Sequence, residues 1–349
     1  MTINNIKHMK RVILTFVVLV MLNACKKGDN NDLPQEVEEV PNVTVSVAKI
    51  KDIQDNVVPQ GDPTYNLLGF GYDITNKYAN IGSVRAKVID VPLFVANNDN
   101  EAFSSGSGTQ GFSIVLNATS AGDLSGQLSD RYDASKGLNV FKSTITSAFP
   151  ETDAEAEKFV YGYYSAVFQG KRLRIEGIKG SNSLTASFIT DLNSLSPEQL
   201  VKKYGTHIMQ RIHLGARINV IYQSEVSDDK NKRLAVREGL DYSIKRVFGF
   251  SPSLGNPVDV RALNSNSAVK LRYEVIGGDT RNIKELDVAG VRMVDINDWS
   301  KNFSEESYKF IDFDTNGLLP ISDLIVDGRK KSMVQEFIKN YILENKVKN

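Results

Sequence analysis

Two stretches of the chain carry hydrophobic patterns that shape the rest of the interpretation. From Ser113 to Tyr132 the side chains alternate. Ile114, Leu116, Ala118, Ser120, Gly122, Leu124, Gly126 and Leu128 form an uncharged even row, and the odd row is mainly polar. A period of two predicts a half-buried strand or a membrane β-strand. The second stretch, Leu234 to Phe250, satisfies two periods at once. Its even row holds Leu234, Val236, Leu240, Tyr242, Ile244, Phe248 and Phe250, and Glu238 and Arg246 interrupt it. Val236, Leu240, Ile244, Val247 and Phe248 also form one stripe at helical spacing. A segment that fits both periods is what a helix-to-strand switch needs. An amphipathic helix whose alternation is accidental fits the pattern equally.

The same kind of pattern predicts the other elements. Phe159–Ile175 is aromatic and strand-forming. Val84–Val91 and Val269–Ile276 also read as strands. Phe141, Ile145 and Phe149 give Leu138–Phe149 a helical stripe, and Asp153–Lys158 reads as acidic and helical. Ser196 as N-cap, with Gln199 three residues on, predicts a helix start. Lys331–Leu343 reads as a terminal helix. Gly106, Gly108 and Gly111 have dinucleotide-loop spacing, but a polar stretch precedes them and strand-like sequence follows, so a flexible loop is expected. Gly215, inside a strand pattern, predicts a sharp bend.

Lys7, Lys10 and Arg11 precede an apolar run, Val12 to Leu22, that is shorter than the about 20 residues of a spanning helix. It suits a signal peptide over residues 1–24. Leu22-Asn23-Ala24-Cys25 resembles a bacterial lipobox, which implies cleavage before Cys25 and acylation of its thiol. Lys26–Asp32 resembles the surface-export tags of Bacteroidetes lipoproteins. Residues 25–42 then form an acylated N-terminus and tether, and the expected location is the outer membrane or cell surface, lipid-anchored or released in vesicles. Cys25 is the single cysteine, so disulfides and cysteine chemistry are excluded from the rest of the chain.

Lys+Arg and Asp+Glu both number 42, which argues against a nucleic-acid partner. No nucleophile elbow, His-Glu-x-x-His or phosphate loop appears, so neither an enzyme nor a cofactor is expected. His207 and His213 are six residues apart, which on a straight strand puts them on one face, but two histidines make a poor metal site. The structural expectation for His207 is to fix the turn before the bent strand. Asp312, Asp314, Asn316 and Asp323 match a calcium loop weakly: the last ligand is Asp rather than Glu, and Pro320 interrupts the loop.

Tyr204, Gly205, Thr206, His207 and Gly215 match, with spacing intact, the signature of the membrane-attack-complex/perforin (MACPF) family, which this stretch resembles. Ile208 departs at an aromatic position, and Ala216 departs at the second glycine of a pair. Leu67–Tyr78 resembles the opening of such domains, and Gly277-Gly278 the turn after their fourth core strand. The resemblance implies an α+β fold over residues 43–349, with a bent four-stranded antiparallel sheet flanked by two helical clusters. Here those clusters would be Gly111–Lys158 and Ser224–Ser267. It further implies a lipid membrane as partner, self-association into a ring or arc, and a receptor on a target cell. The clusters would insert as amphipathic hairpins with Ile114, Leu116, Leu124, Leu128, Leu234, Val236, Leu240, Tyr242, Ile244, Phe248 and Phe250 facing lipid. Arg233, Arg237 and Lys245 would then face the lumen. Glu238 and Arg246 would fall on the lipid side, which favours the alternative of a surface-anchored, non-lytic adhesin or binding protein.

Overall fold

The computed structural model describes residues 40–50, 59–98, 102–179, 183–227, 229–252, 257–288, 290–301 and 303–348. The expected signal peptide, Cys25 and most of the expected tether lie outside the described residues.

In chain order the strands are β1 (Ser46–Lys49), β2 (Phe70–Tyr72), β3 (Val84–Lys87), β4 (Phe103–Ala118), β5 (Phe159–Ile175), β6 (His207–Met209), β7 (Arg211–Val226), β8 (Asn266–Ile276), β9 (Lys284–Val288), β10 (Val291–Asp295), β11 (Lys309–Phe313) and β12 (Leu318–Pro320). The helices are α1 (Val91–Asn97), α2 (Ala121–Ser129), α3 (Lys142–Thr146), α4 (Ala186–Ser194), α5 (Pro197–Tyr204), α6 (Lys232–Phe248), α7 (Val260–Asn264) and α8 (Gly328–Asn345).

β4, β5, β7 and β8 form the expected four-stranded sheet, each antiparallel to its neighbour. Two strands extend it. β1 lies parallel along β8, Ser46–Lys49 against Lys270–Tyr273. β11 pairs with the first residues of β7, up to Gly215, beyond the last β8 pair of Ile276 with Arg217. A second sheet has the order β12-β6-β2-β3, and β9 and β10 form a separate hairpin.

Side chains along a strand point alternately to the two faces, and β5 divides its residues accordingly. Phe159, Tyr161 and Tyr163 join Leu124, Leu128, Phe141, Ile145 and Phe149 in one core. Val160 and Tyr164 join Val236, Leu240, Ile244, Val247 and Phe248 in another. The connection from β4 to β5, with α2 and α3, therefore covers one face of the sheet. The connection from β7 to β8, with α6 and α7, covers the opposite face.

Several sequence expectations are corrected here. The strand pattern of Ser113–Tyr132 holds only to Ala118. Beyond it Ser120 caps a helix by accepting from the Asp123 amide, and the alternation there rested largely on Gly and Ser, which weigh little in a core. Gly106–Gly111 is not a loop but the solvent-exposed half of β4, paired to the long β5 by backbone bonds. Asp153–Lys158 forms turns rather than a helix, because the Asp153 carboxylate binds the Glu155 amide two residues on. The strand at Val84 ends at Lys87, and Val91 already starts α1, capped by Asp90. His207 and His213 do not share a strand face: the chain changes sheets at Gln210, whose amide bonds Gly317 O. The two clusters are shorter than Gly111–Lys158 and Ser224–Ser267, because their outer residues belong to the sheet. They run from 119 to 158 and from 227 to 265. Leu234–Phe250 is helical here, within α6 up to Phe248.

Candidate functional site

The signature residues tie three strands and a helix together. Ser196 and Gln199 make the reciprocal capping box at the start of α5. The helix ends on Gly205 at φ +75. Tyr204 is fully buried, and its hydroxyl donates to Asp191 at 2.6 Å. The Thr206 hydroxyl bonds Tyr72 O and the Ile74 amide, both at 3.2 Å, and its backbone O accepts from Ile321. His207 is buried, with Nδ1 2.9 Å from Thr206 Oγ1. Burial pushes its imidazole down to about 4, against a small opposing pull from Asp323. A Cβ on Gly71 would fall 1.8 Å from Tyr204 O. This constellation is a buried structural knot.

Gly215 sits where the sheet breaks. β5 carries a bulge between Gln169 and Lys171 opposite it, and β7 exchanges β8 for β11 beside it. A Cβ on Gly215 would stand 2.0 Å from Phe168 O, and one on Gly277 2.3 Å from Gly215 O. Gly277 and Gly278 both have positive φ, +68 and +67. Tyr308 lies on Gly170, and Trp299 Nε1 donates to Gly277 O at 3.0 Å. Ala216 is buried and needs no left-handed backbone, so a second glycine is not required of this form.

The residues expected to face lipid are core residues in this form. Ile114, Leu124, Leu128, Val236, Leu240, Ile244 and Phe248 are buried, and Leu116, Leu234, Tyr242 and Phe250 are half-buried. Ile114 and Leu116 stand on β4 itself, outside the helical connection. α6 lies close on the sheet because two glycines admit it: Leu240 packs on Gly162, and the Tyr222 hydroxyl fills the space beside Gly239. Glu238 is buried against Arg237 at 2.6 Å, and Arg246 donates to the Tyr242 hydroxyl at 2.8 Å. Ionic contacts fasten the first cluster. Glu151 accepts from Lys270 and Arg272 of β8 at 2.9 and 3.1 Å, and Lys158 pairs with Glu225 at 2.8 Å.

The calcium-like residues do not converge. Asp312 is buried and accepts from the Tyr132 hydroxyl, with Arg131 at 3.7 Å. Asp314 bonds His213 at 2.6 Å, Asn316 takes Arg211, and Asp323 pairs with Lys179 and Lys331. Each faces a protein donor because β11, its turn and β12 carry them apart. Among the described residues no group of His, Cys, Asp or Glu is arranged to hold a metal ion.

Sequence reasoning missed a buried ionic network. Arg217 is fully buried and donates to Ile311 O and Ala79 O. Glu274 is buried too, paired with Lys77 and accepting from Asn219 at 2.8 Å. Burial alone would push the Glu274 carboxyl up, but Lys77, Arg217 and Asn219 together hold it below the usual carboxylate range. The available signal was a charge inside each apolar strand, Arg217 in β7 and Glu274 in β8. Among the described residues no helix is long and apolar enough to cross a membrane.

The MAC/Perforin domain profile matches residues 170–349. No curated protein sequence matches the chain. A structure from Bacteroides thetaiotaomicron VPI-5482, of a protein named for cell invasion and carrying a MAC/Perforin domain, is 16% identical with a TM-score of 0.63. The match covers 82% of this chain and 63% of that one. GNIP1Aa from Chromobacterium piscinae is 15% identical with a TM-score of 0.57, covering 83% of this chain and 57% of that one. The chain thus spans less than two thirds of the length of either structure, and what they share with it is the fold. With the profile covering more than half of the residues and its signature on the knot and the sheet break, the chain belongs to the MAC/Perforin domain family.

Proposed function

We propose that the chain is a membrane-targeting pore former of the antibacterial toxin type, which oligomerises edge to edge and inserts its two clusters as β-hairpins. One observation carries this reading. Each cluster joins two strands that are already antiparallel neighbours, β4 to β5 and β7 to β8. Unwinding either cluster extends an existing hairpin without changing the strand order. Each connection is long enough for two spanning strands of about 9–11 residues.

Energetics make the membrane a requirement. Val236, Leu240, Ile244 and Phe248, which an unfurled strand turns toward lipid, are buried. Exposing these four side chains to water costs roughly 8 kcal/mol, at about 1.5–3 each, and lipid offsets that cost. Arg246 on the lipid face costs about 2–4 kcal/mol at mid-bilayer, and Glu238 less, which the apolar row outweighs. Unpaired strand edges are not tolerated in hydrocarbon, so insertion requires a closed assembly. The chain acts without catalysis or cofactor, from a lipid-anchored surface site or from released vesicles, and a receptor on the target cell selects the membrane.

The test adds the full-length chain to dye-loaded vesicles made from outer-membrane extracts of related bacteria. Dye release together with detergent-resistant oligomers is expected. Tight binding with neither would overturn pore formation and favour a surface-anchored adhesin or binding protein.

A further inference from the structure

We propose that Asp123, Gln127 and Arg233 form a clamp over the outer edge of β4, so that adding a strand from a second copy there releases both clusters together. This rests on the edge-to-edge assembly proposed above.

β4 is the terminal strand of its sheet on this side. Near its end, Asn117 O accepts from Gln127 Nε2 at 3.1 Å and from Arg233 Nη1 at 2.7 Å. A carbonyl has two lone pairs. Both are filled by side chains, so this oxygen faces away from β5. Two residues on, the Thr119 amide donates to Asp123 Oδ2 at 2.9 Å. Residues two apart point their backbone groups to the same side of a strand. Thr119 lies one residue past the end of β4, so a strand added along this edge and running on past Ala118 meets Asn117 O and then Thr119 N, and side chains occupy both.

The three side chains also bond one another. Arg233 Nη2 donates to Asp123 Oδ2 at 2.8 Å, and Gln127 Nε2 to Asp123 Oδ1 at 2.9 Å. Asp123 and Gln127 belong to α2, on one face of the sheet, while Arg233 is in the first turn of α6, on the other. The clamp thus reaches around the strand edge and joins the two clusters. Burial alone would raise the Asp123 carboxyl, but the bonds from Thr119 and Gln127 and the charge of Arg233 hold it low, so it is ionised at neutral pH. An incoming strand that takes Asn117 O and Thr119 N displaces all three side chains. α2 then loses bonds in its first turn, and α6 loses its anchor across the edge. Edges left open invite unwanted pairing, and a clamp of this kind keeps the edge shut until a partner competes for it.

Hydrogen exchange of the full chain in solution tests the clamp without any pore. Arg233 is 60% exposed, so Arg233→Ala removes its bonds without opening a core. Exchange at Thr119 and in the first turn of α2, on the opposite face from the substitution, should rise about 2- to 5-fold, the shift expected for losing a surface ion pair. Lys245→Ala, at the other end of α6, should leave these amides unchanged. Wild-type exchange at residues 119–124 in Arg233→Ala would overturn the clamp. On vesicles, Arg233→Ala should also form oligomers about 2- to 5-fold faster, and equal rates would overturn its link to assembly. If neither chain forms oligomers, the assembly reading fails, and the exchange result still decides the clamp.

Discussion

Gly215 and His207 show two ways in which a single residue fixes this fold. A Cβ at Gly215 would press on the Phe168 carbonyl, a backbone atom that cannot rotate away. Overpacking of this kind typically costs 1–3 kcal/mol. Gly215→Ala should therefore lose about 2 kcal/mol or more in urea unfolding, and wild-type stability would contradict the close approach. His207 acts through its protons. Its native imidazole titrates near 4, against 6.5 when unfolded. Between those values the unfolded chain binds the proton and the folded chain does not, so stability falls as pH drops from 6.5 to 4. The contribution is about 3 kcal/mol. His207→Gln should remove that much of the difference between pH 7 and pH 4 unfolding, and parallel profiles for variant and wild type would contradict it. Both residues were legible in the sequence because the signature fixes them at set spacing. Arg217 and Glu274 were not, because a buried charge is tolerated only once distant partners such as Lys77 and Ile311 O are brought to it.

At the level of elements, legibility followed side-chain weight. β5 was predicted at its observed limits because its aromatic residues fill both cores. α5 was predicted from its cap, where both reciprocal bonds are present. Ser196→Ala should cost about 1 kcal/mol, read as a lower midpoint at unchanged slope in urea; no change would show that the cap is redundant with the packing of α5 on α8. Where side chains were small the pattern misled. Ser120, Gly122 and Gly126 supplied an alternation that a single capping serine overrode, and the Gly-Ser half of β4 gave no strand signal because its pairing is all backbone. Leu234–Phe250 remained ambiguous for a physical reason: Val236, Leu240, Ile244 and Phe248 are common to both periods. The helix is chosen in this form by Gly239 and Gly162, which let α6 lie flat against Tyr222 and β5.

For the whole molecule, the feature that matters is one the sequence could not supply. The two clusters lie on opposite faces of one sheet, and each closes a hairpin that already exists. No local pattern encodes which face a connection covers. On the proposed function, that arrangement lets both clusters unwind without any strand crossing another, and the edge of β4 is where a second copy would first compete with the clamp. Unfurling is tested most directly by single cysteines placed in turn from Leu234 to Phe250, each carrying an environment-sensitive dye, before and after assembly on vesicles. Ala235, Ser243 and Val247 are buried in the helix but belong to the odd row of a strand, whereas Leu234, Tyr242 and Phe250 are half-buried now and belong to the even row. Unfurling requires the first three to move from a dry to a wet environment and the second three to become dry, with emission alternating at every residue. A helical pattern of emission that survives in assembled, leaking vesicles would contradict it.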